Sequence, residues 1–170
     1  MPCYSVSGLT SVCDNGAAAG IRGLRIGAFD YNTTWSANTL GYIVTGSSLP
    51  TMYRVTVAEE NSSLTEEMVV NAKVRNYSWR STFELVIVGQ SQSAITWVNQ
   101  VASAGMVLAV ETEQGSIKLL GRVKPVRISA GSANVGVAAG DENTIKLSFS
   151  VVGQELTPEI GTAFAATWLV

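Results

Sequence analysis

The sequence predicts a mainly β protein: a β-sandwich or small β-barrel flanked by a single α-helix, with extended loops and an N-terminal arm over residues 1–20. Three observations predict it. Val, Ile, Thr and aromatic residues alternate with polar ones at period two along most of the chain, Gly, Asn and Ser punctuate those runs, and one segment departs to helical spacing. At 170 residues the chain fits a single domain, 1–170, able to bury an adequate core without metals or disulfides.

Taken in order, strands are predicted at 23–29, 52–58, 68–74, 79–88, 106–111, 117–120, 123–128 and 144–152. In 52–58, Met52, Arg54 and Thr56 share one face and Tyr53, Val55 and Val57 the other, the pattern of a sheet with one buried side. Ile145, Leu147, Phe149 and Val151 alternate with Lys146, Ser148 and Ser150 in the same way, and Phe83, Leu85 and Ile87 give a more apolar version. Between 79–88 and 106–111, Ala94, Ile95, Val98, Val101 and Ala102 fall at helical spacing. Ser91 or Ser93 can cap the N-terminus and Gly105 can end the helix, which packs an Ile95 and Val98 stripe on the sheet. Glu113-Gln-Gly-Ser reads as a hairpin turn, Asp141-Glu-Asn as another turn, and 131–140 as a flexible run before it. Residues 32–50 read as one long polar loop.

Composition narrows the function. Charged residues are 14% of the chain, well below the roughly 25% of ordinary soluble domains, while mean hydropathy is positive. A surface so poor in charge points to burial against copies of itself or against partners, a neutral Ser, Thr, Asn and Gln surface being the alternative. Eleven basic against thirteen acidic residues leave no surplus for neutralising phosphates, which argues against tight nucleic-acid binding by a monomer. No window is long and apolar enough to span a bilayer, and MPCYSVSGLT has neither a basic nor an apolar signal region. The expectation is therefore synthesis in a cytoplasm and no membrane partner. There Cys3 and Cys13 stay reduced as small apolar residues, a short disulfide being the alternative.

Catalytic templates fail on residue type. The chain has no histidine, so the commonest general base and metal ligand are missing along with Ser-His and Cys-His pairs. Glu59-Glu60, Glu66-Glu67 and Asp141-Glu142 are adjacent acids that strands would point to opposite faces, so one of each pair is merely solvated. The stretch SVCDNGAAAGIRGLRIGAF (11–29) lacks the spacing of a dinucleotide or P-loop cradle, and its glycines precede a strand where a cradle would follow one. Arg75 and Arg80 flanking Tyr77 and Trp79 suit cross-strand packing or a subunit interface better than a stacking platform for single strands. No catalytic, metal or cofactor site is assigned.

The order of segments resembles a known family. Cys13 and a glycine run lead to Ile21-Arg-Gly-Leu-Arg-Ile; Tyr53-Arg-Val-Thr-Val-Ala-Glu-Glu is followed by Asn61-Ser-Ser-Leu-Thr-Glu-Glu; then come Phe83-Glu-Leu-Val-Ile-Val, the helix, and Gly140-Asp-Glu-Asn-Thr-Ile-Lys-Leu-Ser-Phe. This layout resembles tail tube proteins of tailed bacteriophages, including relatives in phages of Bacteroidetes. The resemblance implies a virion tail protein made in the host cytoplasm. Its copies would form rings, commonly hexameric, whose sheets join edge to edge around a lumen that passes DNA, stacked through loops and arms against other tail or neck proteins. The slightly acidic balance would let DNA slide. Two alternatives are kept: a head-to-tail connector, baseplate or capsid decoration protein, and a carbohydrate-binding β-sandwich stacking sugars on Trp35, Trp79 or Trp97.

For assembly the small-residue segment supplies candidate arm contacts at Cys13, Gly16, Ala18, Gly20 and Gly23, where backbones can approach closely. The polar loops supply candidate inter-subunit contacts at Trp35, Asn38, Glu60, Asn61 and Leu64. Deleting residues 1–20 is expected to stop assembly, read by sedimentation velocity, while leaving the circular dichroism spectrum of the fold intact; normal assembly of the truncated chain would count against the arm.

Overall fold

The computed structural model describes residues 20–55, 62–71, 76–134 and 143–169. In chain order its elements are β1 (Ile21–Ala28), β2 (Thr34–Ala37), β3 (Ile43–Ser47), β4 (Tyr53–Val55), β5 (Ser63–Asn71), β6 (Asn76–Val88), α1 (Gln92–Ala102), β7 (Met106–Thr112), β8 (Ile117–Leu120), β9 (Arg127–Asn134), β10 (Thr144–Gly153) and α2 (Thr162–Trp168). They form a central antiparallel sheet in the order β4-β1-β7-β8, an outer antiparallel sheet in the order β5-β6-β10-β9, and the β2-β3 hairpin. Each sheet keeps two distinct end strands, so the architecture is a sandwich and not the closed barrel.

The apolar pattern explains the layering. Met106 to Val110 of β7 are five consecutive buried residues, and a strand that points alternate side chains to opposite faces can bury all of them only if both faces are covered. Met106, Leu108 and Val110 face the outer sheet, meeting Leu24 and Ile26 of β1 together with Phe83, Leu85, Leu147 and Phe149. Val107 and Ala109 face the other way, with Leu119, onto Ile43, Met52, Ile160, Ala165 and Leu169. The outer sheet turns its core face inward through Phe83 and Leu85, while on the opposite face Thr82 and Glu84 do not join the core and Val86 is buried apart from it.

Two expectations are corrected in the segment 32–50, which is a hairpin and not a loop, and at the C-terminal end, where α2 adds a second helix. Both depend on aromatic contacts distant in sequence. The Trp35 and Trp168 rings lie 5.1 Å apart, edge to face, Phe164 stacks on Trp168 at 5.7 Å, and the Trp168 indole N–H donates to the Pro50 carbonyl at 3.0 Å. A seven-residue helix with no acidic residue in its first turn has little stability of its own, and this packing supplies it.

The helix α1 begins as expected, the Ser91 hydroxyl accepting from the Ala94 amide at 3.2 Å. Its packed stripe is Ala94, Trp97, Val98 and Val101; Ile95 stands 38% exposed, because the register set by Ala94 and Val98 turns it off the core face. Gly105 does not cap the helix, which gives way to Ser103. A Cβ at Gly105 would instead meet the Pro125 ring at 2.7 Å, so glycine allows the strand to pass close to that proline. Pro125 also explains the shift of the strand expected at 123–128 to Arg127–Asn134: without an N–H it cannot join a ladder. The first residues of the run read as flexible therefore lie in β9, and 135–142 lie outside the described residues. The hairpin at Glu113-Gln-Gly-Ser forms as expected, Gly115 taking φ +82°.

Leu108→Ala is expected to cost about 2–5 kcal/mol in urea denaturation, because it opens a cavity between the two sheets. Ile95→Ala, on the exposed side of α1, should stay below about 1 kcal/mol.

Candidate assembly surface

Among the described residues, three strands of the two four-stranded sheets have one side without a strand or bridge partner: β4 in the central sheet, which is only three residues long, and the longer β5 and β9 of the outer sheet. In the central sheet, the outer side of β8 is occupied: the Leu119 amide donates to the Pro158 carbonyl at 2.9 Å, Ile160 N–H donates to the Ile117 carbonyl at 2.8 Å, and Lys118 bridges Glu159 at 3.2 Å. In the outer sheet, β5 pairs only with β6 and β9 only with β10 among the described residues. β9 is an edge of small side chains, Ser129-Ala-Gly-Ser-Ala-Asn, nearly all exposed and without a charge beyond Arg127. Proteins that protect such edges place lysine, proline or a strong bulge there; β9 has one bulge, near Phe149, and over Arg127–Ala133 its outer side pairs with no other strand among the described residues.

The exposed face of the same sheet is polar and mixed in sign. Thr82, Ser148 and Ser150 alternate with the buried phenylalanines and leucines, and Glu67, Glu84, Arg80, Lys146 and Arg127 are all exposed. Glu67 lies opposite Arg80 in the ladder. With three basic and two acidic side chains, this face is slightly positive where the overall composition is slightly acidic.

Beyond the end of β10, whose last partner is Trp79, strands β5 and β6 continue as a two-stranded ribbon to the Asn71 and Asn76 pair. Met68, Val70 and Tyr77 there are 52%, 63% and 55% exposed, and Val69 is also exposed. An isolated ribbon of this kind is marginal in water, and its apolar side chains invite cover. At its root Glu66 turns inward: one carboxylate oxygen accepts from the Ser81 hydroxyl at 3.3 Å and the Thr157 amide at 2.8 Å, and the Ser81 and Thr157 hydroxyls meet at 3.0 Å. A serine, a threonine and a carboxylate gathered here have no histidine to activate them, and their bonds tie the segment around Thr157 to the sheet. Glu66 inward and Glu67 outward follow the alternation expected of adjacent acids in a strand.

Of the candidate arm residues, Cys13, Gly16 and Ala18, like Cys3, lie outside the described residues. Gly20 sits just before β1, its carbonyl accepting from the Glu113 amide at 3.2 Å. Gly23 is buried in β1 at a register shift, and a Cβ there would lie 3.2 Å from the Glu111 carboxylate, which pairs with Arg25 at 3.7 Å. Its close neighbour is thus in the same chain. Of the candidate loop residues, Glu60 and Asn61 lie outside the described residues, and Leu64 is not in a loop: it is half-buried in β5, opposite Phe83. Trp35 is a β2 residue packed toward the second core cluster. Asn38 forms the tip of the β2-β3 hairpin, where its side-chain oxygen accepts from the amides of Leu40 and Tyr42. The ribbon residues Met68, Val70 and Tyr77 were legible only as strand; their exposure comes from β5 and β6 outrunning β10, a length mismatch that the strand pattern alone does not reveal.

None of the protein-family models, curated proteins or solved structures compared with the chain matches it.

Met68→Ser combined with Tyr77→Ser is expected to reduce binding of an apolar dye and self-association, while shifting stability by no more than about 1 kcal/mol, since both side chains are half exposed or more. Fluorescence titration and urea denaturation of the same preparation separate the two effects.

Proposed function

We propose that the chain is a virion structural subunit, a tail tube protein of the tailed-bacteriophage kind, whose copies join into stacked rings around a conduit for DNA. The observation that carries this reading is the outer sheet, which has one dry face, one polar face and two end strands with open outer sides among the described residues. Its four antiparallel strands alternate in direction, so β5 and β9 run oppositely. Laying β9 of one copy beside β5 of the next therefore extends the antiparallel ladder without a break. Such a contact is heterologous, and it closes into a ring where the rotation between copies permits.

Six copies of a four-stranded sheet would close a barrel of roughly 24 strands, wider than the 16–18-stranded barrels that already leave an aqueous channel. The apolar faces would stay packed against the central sheets, and the Ser, Thr and mixed-charge face would line the lumen. In that lining Glu67 and Glu84 lie among Arg80, Lys146 and Arg127, so the basic groups are interrupted by acids, which suits passage of DNA better than tight binding. The β5-β6 ribbon projects along the strand direction, where a neighbouring ring or another tail or neck protein would cover its apolar side chains.

Electron microscopy of the purified protein tests the reading. Hollow tubes or stacked rings are expected, and a chain that remains monomeric by sedimentation velocity at high concentration would overturn it. Ala133→Lys places a charge on the inward side of an edge strand, a device that blocks strand addition. This variant is expected to abolish rings while its unfolding midpoint stays close to that of the parent.

A further inference from the structure

A second surface, separate from the outer sheet, carries chemistry of its own. Between the end of β1 and the loop that follows β8 lies a cleft of about 430 Å³, lined by Phe29, Asp30, Tyr31, Trp35 and Arg122 among others. That size falls within the range of small-molecule sites. We propose that this cleft binds a neutral sugar unit. The inference does not depend on the assembly reading.

A pyranose presents an apolar C–H face and an edge of vicinal hydroxyls. Its recognition therefore calls for an aromatic ring beside planar groups able to bond two hydroxyls at once. Tyr31 is 81% exposed, yet its ring is held edge-on against Phe29 at 4.9 Å and 88°, so an oriented aromatic surface is presented to solvent. The Trp35 ring is braced by Trp168, and its indole N–H makes no hydrogen bond among the described residues. One oxygen of Asp30 accepts from the Asn32 amide at 2.8 Å and from the Asn32 side chain at 2.9 Å, which fixes the carboxylate, and its second oxygen accepts from no group among the described residues. Arg122 is held by Glu155 at 3.0 Å through one nitrogen, and its other donors bond to no group among the described residues.

The charges select the class of sugar. Arg122 is matched by Glu155, and Asp30 adds a further negative charge. The lining carries no surplus positive charge, so a phosphate, a sialic acid or a uronic acid gains no net attraction, whereas a neutral hydroxyl edge can bond to acceptor and donor alike. Two ionised groups in the wall make an apolar ligand a poor fit. A single open cleft of this kind binds weakly, and many copies in one assembly would multiply the attachment.

The test is a titration of the full chain with chitotriose, cellotriose, maltotriose and lactose, followed by intrinsic tryptophan fluorescence, with sialyllactose and trigalacturonic acid as acidic counterparts. Saturable binding of at least one neutral sugar is expected. Tyr31→Ala should weaken it about tenfold with no change in the unfolding midpoint, its side chain being 81% exposed; Arg122→Met should weaken it to a similar extent with only a small shift of the midpoint, since its partner Glu155 is largely exposed. The proposal is overturned if no neutral sugar saturates up to about 20 mM, if only the acidic sugars bind, which would make Arg122 a simple anion contact, or if both variants bind as the parent does.

Discussion

The rest of the structure depends on the burial of β7 from both sides. Five consecutive apolar residues cannot be satisfied by a two-layer sandwich, because whichever face meets the outer sheet, Val107 and Ala109 are left facing away from it. The β2-β3 hairpin, Ile160 and α2 exist in their positions because they cover that second face. Ala109 sits where the cover approaches, and the small side chain leaves room for Ile43 and Ala165 to come near. The central sheet is thus covered on both faces, whereas the far face of the outer sheet carries the exposed Glu67, Arg80, Glu84 and Lys146.

That asymmetry explains how much could be read from the sequence. The outer sheet was legible, since Phe83, Leu85, Leu147 and Phe149 alternate with polar residues as a one-sided sheet demands, and β6, β8 and β10 form near the expected bounds. The cap and length of α1 were legible because capping is local chemistry. The covering layer was not. Thr34 to Ala37 and Thr162 to Trp168 are short and lack a clear period, and they are ordered by Trp35, Phe164 and Trp168 meeting across more than a hundred residues of chain. No window of sequence contains that interaction.

Candidate sites fared unevenly for the same reason. Gly23 was expected to let an arm lie close to a neighbouring subunit; within the chain its close neighbour is Glu111 of the adjacent strand, known only once the register is known. Leu64 lies in a polar stretch and still turns inward, because β5 pairs with β6 in a register that puts it opposite Phe83. The low charge of the chain, by contrast, is a global property. It becomes concrete in an edge strand built of Ser, Ala and Gly and in a ribbon carrying Met68, Val70 and Tyr77 into solvent.

The division into layers also separates two uses of the surface. The proposed edge pairing would engage β5 and β9, and none of the residues that line the Tyr31 and Trp35 cleft belongs to the outer sheet. The cleft is built instead from the end of β1, the covering hairpin and the loop around Arg122, whose rigidity comes from Trp168 and Glu155. A ring closed through the outer sheet would turn that sheet's polar face inward and leave the covering layer on the outside. Burial of β7 from both sides, which requires a covering layer in the first place, is therefore also what would place an oriented aromatic surface on the exterior of an assembly.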